Sequence, residues 1–560
     1  MKTIVIAALL AQAGAASQTQ DDHGTHAHAP AGVEQDRVEA VPLYEGMGAH
    51  HMAISSKNET ARRYFDQGLA LTFGFNHAEA IRSFEAAAEL DPSCAICRWG
   101  VAFALGPNIN GAMDRQSGLA AYDAVREAAA MDAGATPLER GLIAALSHRY
   151  AAGAPDDRSS LDEAYADAME SLAERFPDDA NVAVLAADAL MNLTPWDYWL
   201  DHETLRPTTA RAEALLERAM RLAPLNAGAC HMYVHLMEER QPDRAVACAE
   251  QLPALMPGVG HIVHMPGHIY IRVGRYADAM EANVHAVHAD EAVLPDQSPD
   301  GAYALAYYPH NYHFMWFAAN MAGAGERSIE AARRTADNVN VELMRGPGME
   351  ALQHYLVTPL YALVRFGRWE EILDEPAPPA DLAYPTGVWH YARGLAHVAA
   401  GDLASAEAER ARVRELSADP ALQTQLIWGL NPTSSLLEIA ADVIAGELAA
   451  DRGDFDAAVA YLQKALATEA TLVYDEPPTW HLPVRHNLGA VLLEAGRPAE
   501  AERVYREDLE IYRENGWALA GLRAALLARG RDAEAEAVHK RYRAAWSAAD
   551  IEVETSRLGG

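Results

Sequence analysis

The sequence predicts an all-α solenoid of helix pairs, and three observations carry that expectation. A glycine followed twelve residues later by an alanine recurs at Gly68/Ala80, Gly267/Ala279, Gly394/Ala406, Gly446/Ala458 and Gly489/Ala501. Beside these pairs recur the short turns "GRY", "GDL", "GDF" and "GRP", each between two amphipathic stretches. Half of the 560 residues are hydrophobic, enough to bury a long continuous core and to exclude global disorder. Small residues at the crossing points let two helices approach closely, and the bulky residue between them packs on the next pair.

In "YFDQGLALTFGFNHAEAIRSFEAAAELDP" the glycine and alanine are joined by Phe84, Ala87 and Pro92. This pattern resembles the tetratricopeptide repeat, a helix pair with a period of about 34 residues. The resemblance is strong at Gly68–Pro92 and again from near 260, 439 and 482. It is degenerate near 181–224, 226–257, 308–335, 352–372, 387–416 and 514–545, so it covers most of the chain from about 60 to 545. It implies a right-handed superhelix whose first helices line a concave groove, with a peptide, protein or small molecule as the occupant. It implies a fold, not an activity.

The elements follow in order. Residues 1–17 read as a signal peptide: Lys2 precedes the apolar run "TIVIAALLA" and then small residues through Ala16 and Ser17. The run is too short for a comfortable membrane span, which points to export to a periplasm or the cell exterior. Residues 18–58 read as a disordered, solvated leader, with loose metal capture by His23, His26 and His28 as the alternative reading. Residues 59–257 form the N-terminal helical pairs, with longer helices and inserted loops over 95–178. Central histidine-rich repeats occupy 258–372, C-terminal repeats 373–548 and a tail 549–560. A formal charge of −34 argues against nucleic acid or an anionic membrane surface as the partner, and suits attraction of cations.

The chemistry concentrates in the central repeats. "GHIVHMPGH" places His261, His264 and His268 at i, i+3 and i+7, a single helical stripe facing the groove if Gly267 faces its partner helix. Pro266 removes a backbone donor and is expected to kink or restart the helix, re-aiming His264 and His268 relative to His261. The preceding repeat carries His231 and His235 at i, i+4, the spacing that lets two imidazoles chelate one ion, with Glu238 continuing the stripe as ligand or base. The following repeat carries His310 and His313 in "YYPHNYHFMWF". Three successive repeats thus present histidines at one level of the groove.

Metal ligation is therefore expected of His231, His235, His264, His268, His310 and His313, and acid–base roles of Glu238, His261, His481 and His486. The last two lie in "YDEPPTWHLPVRH", which with Asp475 and Glu476 reaches the groove only if the superhelix curls far enough. The competing reading of all these residues is a hydrogen-bonded polar seam between repeats. Imidazole-rich sites suit zinc, copper, iron or nickel. Export, the histidine-rich leader and the nearby Met232, Met237 and Met265 favour copper over zinc or iron.

Cys230 and Cys248 lie nine residues on either side of Glu239, symmetric about a helix-pair turn, and are expected to form a disulfide. Cys94 and Cys97 stand one turn apart without the histidine of a haem-attachment motif. Trp196, Tyr308, Tyr312 and Trp480 are candidates to shape an apolar pocket beside the histidines, against a pure packing role. Three functions follow: a metalloprotein whose chemistry admits a copper-, zinc- or iron-dependent oxidoreductase, a non-enzymatic scaffold for a peptide or protein, and a metal capture and delivery protein.

Overall fold

Close helix crossings at the repeat glycines build the architecture. A Cβ on Gly68 would lie 2.7 Å from the Phe84 ring of the second helix of its own pair, so any larger residue would separate the two. The computed structural model describes residues 41–299 and 301–557. The signal-peptide segment and His23, His26 and His28 lie outside these residues. Helix follows helix through the described chain, from Glu59–Phe73 and His77–Leu90 to Gly516–Ala528 and Asp532–Ala545. Among the described residues the only strands are Leu426–Ile427 and Asn431–Pro432, a small antiparallel pair that pins one loop. The chain is an all-α solenoid of tetratricopeptide type.

Polar caps start the helices where the sequence places them. Asn58 accepts from the amides of Thr60 and Ala61, Asn226 from Ala229 and Asn515 from Ala518, contacts that stabilise a helix by about 1 kcal/mol each. Thr136 and Glu139 form a reciprocal capping box. The region 95–178 continues the pairing with longer second helices and with loops over 105–114 and 147–158. Ala95–Ala104 packs with Arg115–Ala130, and Pro137–Leu146 with Ser159–Arg175. Their first helices are short, which is why the repeat pattern was hard to read there.

Residues 41–58, expected as the end of a disordered leader, are packed in place. Val41 and Met52 are buried. Tyr64 donates to the carbonyl of Val41, and the amide of Gly258 donates to the carbonyl of Gly46. Such an extended segment spends its backbone groups on the first and central repeats, a contact that local composition does not reveal.

The array closes on itself around the central repeats. At one end, Asn76 donates to Gln297 at 3.0 Å and the first repeat lays Phe73 and Phe75 against the helix Ala227–Met237. At the other, the indoles of Trp517 and Trp546 donate to the carbonyls of Asn320 and Met321. The C-terminal segment straps back, with Asp550 accepting from the amides at the start of the helix Gly325–Asp337.

Cys230 and Cys248 are bridged, their Cα atoms 5.0 Å apart, as are Cys94 and Cys97. The first bridge ties the helix bearing His231 and His235 to its partner Val246–Leu255. Closing a loop of that length stabilises a fold by about 3 kcal/mol in the chain-entropy account. Peptide mapping without reductant should therefore yield one linked Cys230–Cys248 fragment, and Cys248→Ala should lower the melting temperature. Free thiols at both positions in freshly prepared protein would contradict the bridge.

Candidate functional site

Three neighbouring first helices supply the site. The helix Ala227–Met237 puts His231 and His235 one turn apart, and Glu238 follows at its C-terminal end. The next first helix is interrupted. Pro266 has no amide hydrogen, so the helix Gly260–His264 ends and a second helix, Pro266–Val273, starts from Met265. Before the third helix, Tyr308–Ala322, comes a wide turn over Tyr303–Tyr307 in which the Tyr308 amide reaches back to the Tyr303 carbonyl. Turns of this i→i+5 kind are frequent at functional sites.

The restart at Met265 divides the predicted stripe. His261 turns toward the preceding repeat, with its Nε2 3.1 Å from Nε2 of His231, which is in turn 3.0 Å from Nε2 of His235. His264 and His268 turn toward the following repeat: their Nε2 atoms are 2.8 Å apart, and the His310 ring centre lies 4.9 Å from that of His264. The result is two adjacent trihistidine sets, His231/His235/His261 and His264/His268/His310, with the ligand atoms of each within 4.8 Å of one another. All six rings are buried except His310, which is half-buried.

The nitrogens converge in a way that hydrogen bonding alone does not satisfy. An imidazole nitrogen carries one proton or one lone pair, so Nε2 of His231 can make a proper bond to His235 or to His261, not both. A cation between them satisfies all three. Metal–nitrogen bonds of about 2.0–2.1 Å in tetrahedral geometry put ligand nitrogens roughly 3.3 Å apart, close to the spacing found. The residues fit a transition-metal ion in each set.

Glu238 joins the sets. Its Oε1 lies 3.0 Å from Nδ1 of His235 and its Oε2 2.5 Å from Nδ1 of His268. A carboxylate on Nδ1 turns Nε2 toward the centre and raises its basicity, the usual outer support of a metal-bound histidine. Glu238 is thus placed to orient an imidazole of each set, and with His235 and His268 it forms a third group of side chains able to hold an ion, in keeping with the ligand role expected of it. His264 has the same support from Asn283, at 2.7 Å from Nδ1. Gly267 packs toward Asn283 and Phe314, as the repeat register requires.

Burial holds His231, His235, His261, His264 and His310 well below the usual histidine range, reinforced by repulsion among the imidazoles. They are neutral, the form that ligates. Burial acts likewise on His268, but the carboxylates of Glu238 and Glu476 outweigh it and push His268 up to about 10.

Glu476 arrives from the far end of the array, with Oε2 2.8 Å from Nδ1 of His268. The C-terminal segment therefore does close over the groove, but His481 and His486, expected beside it, do not join the site. His481 stacks on Tyr361 at 4.1 Å, and His486 sits between Asp508 and Arg365. The loop passes the site at Glu476 and then leaves it for the core. His313 does not join the site either: three residues on from His310, its ring packs against Trp316 and His354. His261, expected as an acid or base, completes the first trihistidine set instead. Met232, Met237 and Met265 are packed in the hydrophobic core, so they contribute no argument for copper.

Several contributors escaped the sequence. Phe75 covers the first set, its ring 4.8 Å from His231 and 4.9 Å from His261. Asn283 had a signal, since it lies one turn beyond Ala279 of the repeat motif. Phe75, Tyr307 and Trp428 had none, because separate loops bring them together. A pocket lies over the imidazoles of His235, His261, His268 and His310. Trp196 lines it as expected. Tyr308 and Tyr312 instead donate to the exposed Glu291, on the outer side of their helix, and Trp480 packs in the core with Tyr361 and Tyr391.

Asp290 braces the first set from behind. Its Oδ1 accepts from the Tyr303 hydroxyl at 2.7 Å, its Oδ2 accepts from Asn311 at 2.7 Å, and the Tyr303 oxygen accepts from the His261 amide. A Cβ on Gly260 would meet Oδ1 at 1.9 Å, so only glycine admits the carboxyl. Burial raises Asp290 from 3.8 to about 7. The folded state therefore holds this proton more tightly than the unfolded chain, and the associated stability falls as pH rises from 4 through about 7. Asp290→Asn should flatten the decline in melting temperature of the metal-free protein between pH 5 and 8, and equal slopes in variant and parent would contradict this.

The chain matches the tetratricopeptide repeat family models over residues 61–94 and 438–514. No curated protein sequence matches it. Among solved structures it is similar to human IFIT1 with m7Gppp-AAAA, at 12% identity, covering 88% of this chain and 91% of that one with a TM-score of 0.30. Cut9–Hcn1 of the APC/C is similar at 11% identity, 87% of each chain and a TM-score of 0.29. Yeast Tom70 is similar at 13% identity, 87% of this chain, 91% of that one and a TM-score of 0.28. No helix among the described residues is long and apolar enough to cross a membrane.

Proposed function

We propose that this tetratricopeptide-repeat protein is a transition-metal protein holding two ions side by side, one in each trihistidine set. The observation that carries the reading is the buried convergence of Nε2 atoms on shared centres, with Nδ1 supports that leave Nε2 free on His235, His264 and His268. Copper is favoured over zinc or iron, because an all-imidazole set binds Cu(II) most tightly among the divalent first-row ions. Bound beside an open pocket, such ions supply redox or Lewis-acid chemistry, and an oxidoreductase is the activity class that suits the site. Six sheltered imidazoles favour resident ions over rapid delivery. The apolar N-terminal run after Lys2 supports export to the periplasm or the exterior.

Elemental analysis of untagged protein after exposure to Cu(II), Zn(II) or Fe(II) and gel filtration tests the reading. Two equivalents should remain, and the loaded protein should melt above the chelated one, by about 4 kcal/mol of stabilisation at a free metal concentration of 1,000 times Kd. Failure to retain any ion would leave a scaffold whose histidines are a structural seam.

A further inference from the structure

The pocket over the imidazoles has walls of a kind that metal binding does not require. Trp196, Tyr307, Tyr355, Trp428 and Tyr474 line it, with Asp475 and Glu476 at one side. Trp196, Trp428 and Tyr474 come from three separate insertions between helices, over 192–206, 418–432 and 470–483. Convergence of three loops on one pocket is not a consequence of repeat stacking.

Two of these residues are held in a conformation that bulky side chains rarely adopt. Trp196 has φ 60° and Trp428 φ 49°, both in the left-handed region. Tertiary contacts impose the strain. The Trp196 indole donates to Asn110 at 3.1 Å and its ring meets His235 edge-on. Trp428 sits at the tip of the small hairpin with its ring 5.1 Å from Tyr355. Strain of this kind gathers at ligand sites, where a side chain is aimed rather than relaxed. Both indoles remain half-buried, so part of each is left for a further contact.

The polar groups narrow the ligand. Asp475 is fixed by the Thr479 hydroxyl and the Glu476 amide, and Tyr474 donates to Glu476. Among the residues lining the pocket there is no lysine or arginine, and the chain carries −34 overall, so the metal-free pocket disfavours an anionic ligand. Aromatic walls with acceptors and imidazoles at one end suit a flat ring bearing a hydroxyl donor.

We propose that the pocket binds a small uncharged hydroxyarene, its ring against Trp196 and Trp428 and its hydroxyl turned toward Asp475 and the imidazoles. This rests on the metal reading for the orientation of the hydroxyl, whereas the ring contacts need no ion.

Calorimetric titration of the full chain with catechol, toluene and benzoate, in metal-loaded and chelated forms, tests it, with metal content measured on each sample. Catechol should bind saturably to both forms, and in the chelated form benzoate should bind at least about tenfold more weakly, as loss of a charged ligand's favourable environment implies. Trp428→Gly, which relieves the backbone while removing the ring, should weaken catechol about tenfold, the scale of an aromatic stacking contact. Its metal content should equal that of the parent, and Trp196→Ala should behave likewise. Absence of saturable catechol binding in both forms would overturn the proposal, as would undiminished binding in both variants or benzoate binding to the chelated form as tight as catechol. If catechol binds but no sample retains metal, the metal reading fails and the aromatic pocket stands.

Discussion

His231→Ala and His264→Ala should each lower the metal content from two ions per chain to one, and the double variant should retain none. His231 is the nitrogen shared by both short contacts of the first set, and His264 holds the corresponding contact in the second. Losing one imidazole from a set of three leaves a two-ligand site that cannot hold an ion through gel filtration. The neighbouring set keeps its three rings, because the two draw on different residues. Without metal the His231→Ala change should cost less stability than an ordinary core truncation, since it removes a nitrogen whose two close neighbours cannot both be satisfied. His313→Ala provides the control: its ring packs against Trp316 and His354, so metal content should stay at two. A purely structural seam predicts the opposite pattern, stability losses at all three positions and no change in stoichiometry.

Glu238→Gln should weaken both ions together, by about 10- to 100-fold each, because outer-shell partners of metal-bound histidines typically contribute on that scale. Its carboxylate reaches one histidine of each set, through Nδ1 of His235 and Nδ1 of His268. Glu238→Ala should be harsher and also destabilise the metal-free fold, because it removes one of the two buried carboxylates that pair with His268 and leaves only Glu476. Competition with a chelator of known affinity measures the first effect and thermal melts the second. Loss confined to one ion would contradict the shared role.

Much of this arrangement was legible in the sequence, for physical reasons that also mark its limits. The repeat phase fixed which helices are first helices, so His231, His235, His264, His268 and His310 could be placed at one level of the groove. Pro266 announced the helix restart. How the histidines divide into sets was not legible, because that depends on the direction the chain takes after Met265, and local periodicity treats His261, His264 and His268 as one stripe. The same limit misplaced His313, one helical step from His310. Long-range closure was harder still. Phe75 and Glu476 stand about 400 residues apart in a chain of 560, and reach adjacent histidine sets, His231 in the first and His268 in the second, only because both ends of the solenoid pack onto its centre. Nothing in the local pattern around either residue encodes that approach. His481 and His486 illustrate the converse: proximity in sequence to Glu476 did not carry them into the site, because the loop turns inward directly after it.

X-ray absorption on the copper-loaded, untagged protein, combined with elemental analysis of the same sample, tests the central claim most directly. Two ions per chain, each surrounded by about three imidazole nitrogens at roughly 2.0 Å, is the expected result. Fewer than one ion per chain, or a shell of oxygen without the multiple-scattering signature of imidazole, would contradict the two-set metal centre.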